Sequence, residues 1–224
     1  ITELLPVLSV RCSDGSIQPT RSVTEMTTMN PAAYQAFVAS RIAEDQALYG
    51  ELFAHLRSAV ELDSTFALAH FRLAKMSAQF RRHAAARESG EMAWKWRANL
   101  SIKDRMQLDA WRAGIQNSVP ESIELYRELH ERWPDDLPIL EELINILYMW
   151  RYANESLEMV ESALDLYPDE QSLLNWKQTL LKQLGLSQEA VQTARQLAHL
   201  APDNANNWDE LGLRFVDAAS LDSA

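Results

Sequence analysis

The chain has 224 residues, 47% of them apolar, with only six glycines and eight prolines, a composition that favours helix throughout. A single cysteine, Cys12, excludes an internal disulfide framework and any multi-cysteine metal centre, and no apolar run approaches the ~18 residues needed to span a bilayer. The formal charge of -11 is unevenly spread, with ten basic and four acidic groups over residues 72–112 and seven and twenty over residues 113–224, so the helix faces are either ordinary solvated surface or a dipole that steers a charged partner.

In chain order, residues 1–30 precede the regular pattern, as a linker or the remnant of an upstream domain. Leu5–Val10 is a β-like run, Asp14-Gly15 a turn signal, and Ile17–Met26 is rich in Thr, Ser and Val but interrupted by Pro19. A linker or irregular segment is the favoured expectation over a hairpin. Asn30-Pro31 opens the first helix as cap and first-turn proline. Tyr34, Phe37 and Ile42 give its apolar stripe, answered by Leu48, Leu52, Leu56, Ala59 and Val60 on the next helix. A second pair covers about 65–98, its later half carrying Met92, Trp94 and Trp96. Ser101 to Asp104 has the form of a capping box, so a helix starts near Ile102 and is expected to end at a left-handed Gly114. Val119-Pro120-Glu121 starts the next, ending at Trp133-Pro134. Leu137–Tyr152 and Asn154–Tyr167 form another pair, with Asn154 as its cap, and Leu184-Gly185-Leu186-Ser187 reads as C-cap, turn and N-cap. Asn204 to about Val216 is one further helix, and residues 217–224 are a truncated tail too short to pair with it.

Pro134, Pro168 and Pro202 each open a Pro-Asp pair and stand 34 residues apart. Counting back, the register continues through Ala98, with a two-residue insertion, to Ser64. Trp208-Asp-Glu-Leu211-Gly212-Leu-Arg-Phe215 resembles the W-x2-L-G-x2-Y pattern of tetratricopeptide (TPR) repeats, with Phe for Tyr. The resemblance, over roughly residues 31–216, implies an all-α TPR-type α-solenoid of antiparallel helical hairpins forming a right-handed superhelix. It would hold about five hairpins plus the first helix of a sixth, after a short irregular or β-like segment. A second resemblance rests on Thr27–Phe37, Ala59–Ala74, Leu100–Leu108, Glu121–Leu129 and Trp133–Asp136. These phrases are similar to the TPR regions of multidomain bacterial signalling proteins, in which the repeats follow a DNA-binding, kinase or cyclase domain. The chain is accordingly expected to be a fragment of a longer protein.

Catalytic motifs are missing. His55, His70, His83, His130 and His199 are scattered without ligand spacing, and neither a phosphate loop nor a Gly-x-Ser-x-Gly elbow occurs. Asp135-Asp136 and Glu141-Glu142 sit at a helix start, where carboxylates complement the dipole. The expectation is a non-enzymatic chain with no cofactor and no metal. The basic 72–112 segment interleaves Arg and Lys with Trp94, Trp96 and Trp111, as nucleic-acid surfaces do, but the acidic remainder would repel phosphate. No direct nucleic-acid contact is expected.

The TPR resemblance implies that first helices line a concave groove. Residues four apart share a helix face, which brings inward Phe71 and Lys75, Gln107 and Trp111, Glu141 and Asn145, Asn175 and Thr179, and Asp209 and Leu213, with Tyr148 and Lys182 one turn on. A partner peptide or protein is expected at Trp111, Asn145, Tyr148, Asn175 and Thr179. Glu141 and Asp209 stand where a carboxylate-binding clamp would need cations. The function expected is a non-catalytic protein–protein interaction scaffold, the sensory or regulatory part of a bacterial regulator. The alternatives are a small-molecule-sensing domain of a transcription regulator and a regulatory segment of a kinase or cyclase. Leu211, Phe215 and Val216, uncovered in an incomplete repeat, suggest self-association. A soluble chain is expected, cytoplasmic in preference to periplasmic.

Overall fold

The computed structural model describes residues 9–11, 17–19 and 28–221. Its chain divides into two compact units, Ile1–Ser118 and Val119–Ala224.

In the first unit, β1 (Ser9–Arg11) pairs antiparallel with β2 (Ile17–Pro19) in the register Ser9 to Pro19 and Arg11 to Ile17. This part of the N-terminal segment is therefore β-paired rather than irregular; the Asp14-Gly15 signal lies outside the described residues. Five helices follow: α1 (Pro31–Asp45), α2 (Tyr49–Leu62), α3 (Ala67–Gln79), α4 (His83–Lys95) and α5 (Ile102–Ile115). The second unit contains α6 (Val119–Arg132), α7 (Leu137–Met149), α8 (Ala153–Leu166), α9 (Gln171–Leu184), α10 (Ser187–Leu200) and α11 (Ala205–Leu221). Within each unit, consecutive helices pack on one another, and α7 also touches α9.

The turns show why the sequence folds with this period. Ala47, Arg81, Asn117, Arg151 and Gly185 all have positive φ, from 56° to 76°. They stand 34, 36, 34 and 34 residues apart. After each, a backbone N–H closes back onto the preceding helix: Leu48 to Ala43, Arg82 to Ser77, Ser118 to Ala113, Tyr152 to Leu147 and Leu186 to Leu181, at 2.7–2.9 Å. This is the Schellman closure of a helix C-terminus. It corrects the placement at Gly114, which is helical; Asn117, whose side chain tolerates a left-handed backbone, makes the turn three residues later. The two-residue insertion is also located. Four residues separate α2 from α3, α6 from α7, α8 from α9 and α10 from α11, whereas six separate α4 from α5 and include a 3-10 turn over Arg97–Asn99.

Replacing Gly185 by alanine places a Cβ in this strained region, and nothing lies within 4 Å to crowd it. The expected cost is about 1 kcal/mol in urea unfolding. At Arg81 the non-glycine strain is already present, so Arg81→Gly should be neutral to stabilising by a few tenths.

Side chains on the facing surfaces explain the pairing. The fourth residue of each second helix is buried and mostly small: Leu52, Ala86, Ser122, Ser156 and Ala190. One heptad later come Ala59, Ala93, Leu129, Ala163 and Leu197, also buried. Small residues at these points let helices cross closely. Five local expectations are corrected. Ile42 is 54% exposed because it falls beside the buried α1 stripe of Ala33, Phe37, Ser40 and Ala43, and Leu48, 43% exposed, sits in the turn at the cap position of α2. Asn154 lies inside α8, whose cap position is Tyr152, and Ser187 is the first residue of α10 after Leu186. The Schellman turn fixes both starts. Finally, α11 runs to Leu221, since Asp217-Ala-Ala-Ser-Leu contains no helix breaker.

The junction between α2 and α3 carries a pH-sensitive pair. Burial pushes the Asp63 carboxyl up, but hydrogen bonds from Thr28 and Thr65 and the nearby His70 bring it below its usual 3.8. Burial depresses His70 below 6.5 against the opposing pull of the Ser64 carbonyl, 3.1 Å from Nε2, and of Asp63. A depressed imidazole favours folding above the unfolded value and loses that contribution as pH falls through the folded one. Stability should therefore decline below pH 6.5 and again, through Asp63, below 3.8. His70→Gln should remove the first decline from a urea-midpoint series between about pH 8 and 5.

Candidate binding groove

A concavity of about 730 Å³ opens in the second unit between α7, α9 and α11. Tyr148, Met149 and Arg151 come from the end of α7 and its turn, and Asn175, Gln178, Thr179, Lys182 and Gln183 from α9. Glu210 and Arg214 come from α11. The α9 residues recur at three- and four-residue steps and so form one stripe. The periodicity of the helix puts polar groups on that stripe, while Leu173, Leu174, Leu180 and Leu181 are buried.

Part of the lining is fixed internally. Tyr148 packs edge-on to Trp176 at 5.7 Å. Gln178, 8% exposed, donates from Nε2 to Glu210 Oε2 at 3.3 Å, and Arg214 reaches the same oxygen at 3.1 Å. Thr179 Oγ1 donates to the Asn175 carbonyl. Other groups remain available. Arg151 and Lys182 have no ion pair among the described residues, and the buried Oε1 of Gln183 has no hydrogen-bond partner among them. The concavity thus offers cationic donors, amide donors and one acceptor, although the second half of the chain is strongly acidic.

Of the five residues expected to bind, Tyr148, Asn175 and Thr179 line this concavity. Asn145 is exposed on α7, three residues before Tyr148, and does not line it. Trp111 belongs to the first unit and packs there, edge-on to Phe71 at 5.8 Å and against Gly90. Phe71 is itself buried at 3% exposure rather than displayed. Glu210 and Arg214 were missed because the repeat register marks α11 at Asp209 and Leu213, whereas the side of α11 that lines the cavity is one residue on; Gln178 was missed on α9, where the register marks Asn175 and Thr179. The available signal was the Glu210–Arg214 spacing of four, with the acid N-terminal to the base.

Among the described residues, no group of three His, Cys, Asp or Glu side chains could hold a metal ion, and no helix is long and apolar enough to cross a membrane.

Helical hairpins recurring at 34 residues, with one step of 36, and closed by the same left-handed turn define a TPR-type α-solenoid. Solved structures of this kind are similar to the chain at low identity. PilW, a type IV pilus biogenesis factor, matches at 12% identity over 87% of this chain and 94% of its own, with a TM-score of 0.57. Pseudomonas aeruginosa PilF matches at 16% over 85% and 91%, with 0.52. The Cut9–Hcn1 hetero-tetramer of the APC/C matches at 14% over 84% of this chain and 37% of that one, with 0.58. At these identities the likeness is one of fold. No family model and no curated protein matches the sequence.

Proposed function

We propose that the chain is a non-catalytic protein-interaction scaffold whose second unit holds a partner peptide in the concavity between α7, α9 and α11. The observation that carries this is the composition of the lining: Asn175, Lys182, Arg151 and Gln183 present unused donors and an acceptor beside the ring of Tyr148. An extended or helical peptide exposes backbone groups that such a lining can pair, and an aromatic ring adds contact area at small entropic cost. Asn145, on the same face of α7 one turn earlier, extends the surface. Trp111 acts through the stability of the first unit. The similarity of Thr27–Phe37 and Ala59–Ala74 to bacterial signalling proteins supports a role in a regulator.

Selection of a displayed random-peptide library on the whole chain tests this. Selected peptides should bind Asn175→Ala/Lys182→Ala about 1–3 kcal/mol more weakly, with the melting temperature unchanged because both side chains are on the surface of the groove. Arg151→Gly should also weaken binding, while relieving a left-handed backbone. Peptides that bind all three forms equally would place recognition outside this groove.

A further inference from the structure

The basic stretch of the first unit is organised around one ring. The guanidinium carbons of Arg97 and Arg112 lie 4.0 and 4.1 Å from the Trp94 ring centroid. Both guanidinium groups therefore stack against the same indole. Stacking of this kind holds each guanidinium plane and leaves its N–H edge for an acceptor. On α5, Arg105, Asp109 and Arg112 follow at steps of four and three and share one stripe. Arg97, Arg105 and Arg112 all act on the Asp109 carboxylate, and Asp109 Oδ1 is buried with no hydrogen-bond partner. One carboxylate, with one oxygen withdrawn from solvent, is thus shared electrostatically by three cations.

The outer cations are held by backbone acceptors and outnumber the one Asp109 carboxylate they share. Arg97 Nη1 donates to the Trp94 carbonyl at 3.0 Å and Arg105 Nη2 to the Leu100 carbonyl at 3.4 Å. Neither has an ion pair among the described residues, and both are exposed. Arg112 is shared with Glu91 at 3.6 Å.

We infer that this face of α4 and α5 is a docking surface for an acidic polypeptide segment, gripped by Arg97, Arg105 and Arg112. Guanidinium edges match carboxylates in two-pronged geometry. Arg105 and Arg112 are separated by roughly 10 Å along the helix, about the span of three residues of extended chain, so acidic side chains a few residues apart can meet both. A nucleic acid fits less well because it needs open aromatic faces for its bases. Trp94 is already stacked by Arg97 and Arg112, Lys95 lies 5.3 Å from the Trp96 centroid, and Trp111 packs on Phe71 and Gly90.

The test is fluorescence anisotropy of a labelled octapeptide of alternating Glu and Ser, titrated with the whole chain at low and at moderate salt. Saturable binding is expected, weakened by salt as exposed charge pairs are and at least tenfold weaker in Arg97→Gln/Arg105→Gln with an unchanged far-ultraviolet circular dichroism spectrum. The groove variant Arg151→Gly/Lys182→Ala should bind this peptide like the parent. Absence of binding, or equal binding by the Gln variant, overturns the proposal. Loss in the groove variant would assign the acidic peptide to the second unit, and an oligothymidylate of equal charge binding as tightly would make the surface a nucleic-acid one; either outcome also overturns it.

Discussion

Trp111→Ala should lower the stability of the first unit by about 3 kcal/mol, the lower end of the range for removing a large aromatic side chain from a core. The ring is only partly covered, but it is held on two sides. Phe71 meets it edge-on at 5.8 Å, and Leu108, Leu100 and Ala93 belong to the same cluster. On the other side α4 carries Gly90 where a Cβ would lie 2.9 and 3.1 Å from two atoms of the indole. Gly90→Val should therefore also destabilise, by about 1–3 kcal/mol, because the packed ring has to move. The two changes should not add. Once the indole is gone, valine occupies part of the space it left, and the double variant should be at least ~0.5 kcal/mol more stable than the sum of the singles predicts. Urea unfolding of the four proteins measures this. Strict additivity, or an unperturbed Trp111→Ala, would show that the ring does not pack as described and would restore it as a candidate contact for a partner.

Phe66→Ala should cost about 3–5 kcal/mol. Phe66 stands immediately before α3, at the position held before α7, α9 and α11 by Asp136, Glu170 and Asn204. Asp136 and Glu170 accept hydrogen bonds from their helix N-termini; Phe66 makes no such bond. It is instead fully buried, its ring 5.3 Å from that of Phe37 in a cluster with Leu52, Leu56 and Ala69. A polar cap is worth about 1 kcal/mol, whereas the buried ring contributes several, so packing wins at this position. Phe66→Asp supplies the comparison. If capping dominated, it would be nearly neutral; burial predicts a loss greater than that of alanine, because the carboxylate would be drawn from water without a partner. A melting temperature lowered by less than about 5 °C in Phe66→Ala would contradict the packing account.

The helical hairpins were readable from the chain because each depends on local chemistry repeated at a fixed interval. Prolines at 134, 168 and 202, the Trp208–Phe215 pattern and the alanines at the crossings act within one hairpin or between neighbours, so their spacing in sequence is their spacing in the fold. The capping of α1 by Asn30 and of α5 by Ser101 was equally local. Where two residues could serve one local role, sequence was insufficient. Gly114 and Asn117 both suit a left-handed turn, and the choice between them follows from where α5 stops packing.

The groove depended on more than register. Residues four apart on α9, Asn175 and Thr179, could be placed on one face without coordinates, and they line the concavity with Tyr148. The contribution of α11 could not, because a rotation by one residue changes which side chains of a helix face its neighbour. Side-chain packing determines that rotation: it buries Leu211 at 8% and Arg214 at 5%, the latter beside Glu210 and Gln178. The same limit applies to Trp111. Its spacing assigns it to a displayed position, but Gly90, 21 residues earlier, leaves a space that the indole enters. The sequence by itself therefore determined the period, the helices and the polar stripe on α9, all products of short-range periodicity. Tertiary structure alone decided which aromatic rings fill the core and which cations are left without an ion pair among the described residues, because both depend on contacts between residues that the chain keeps far apart.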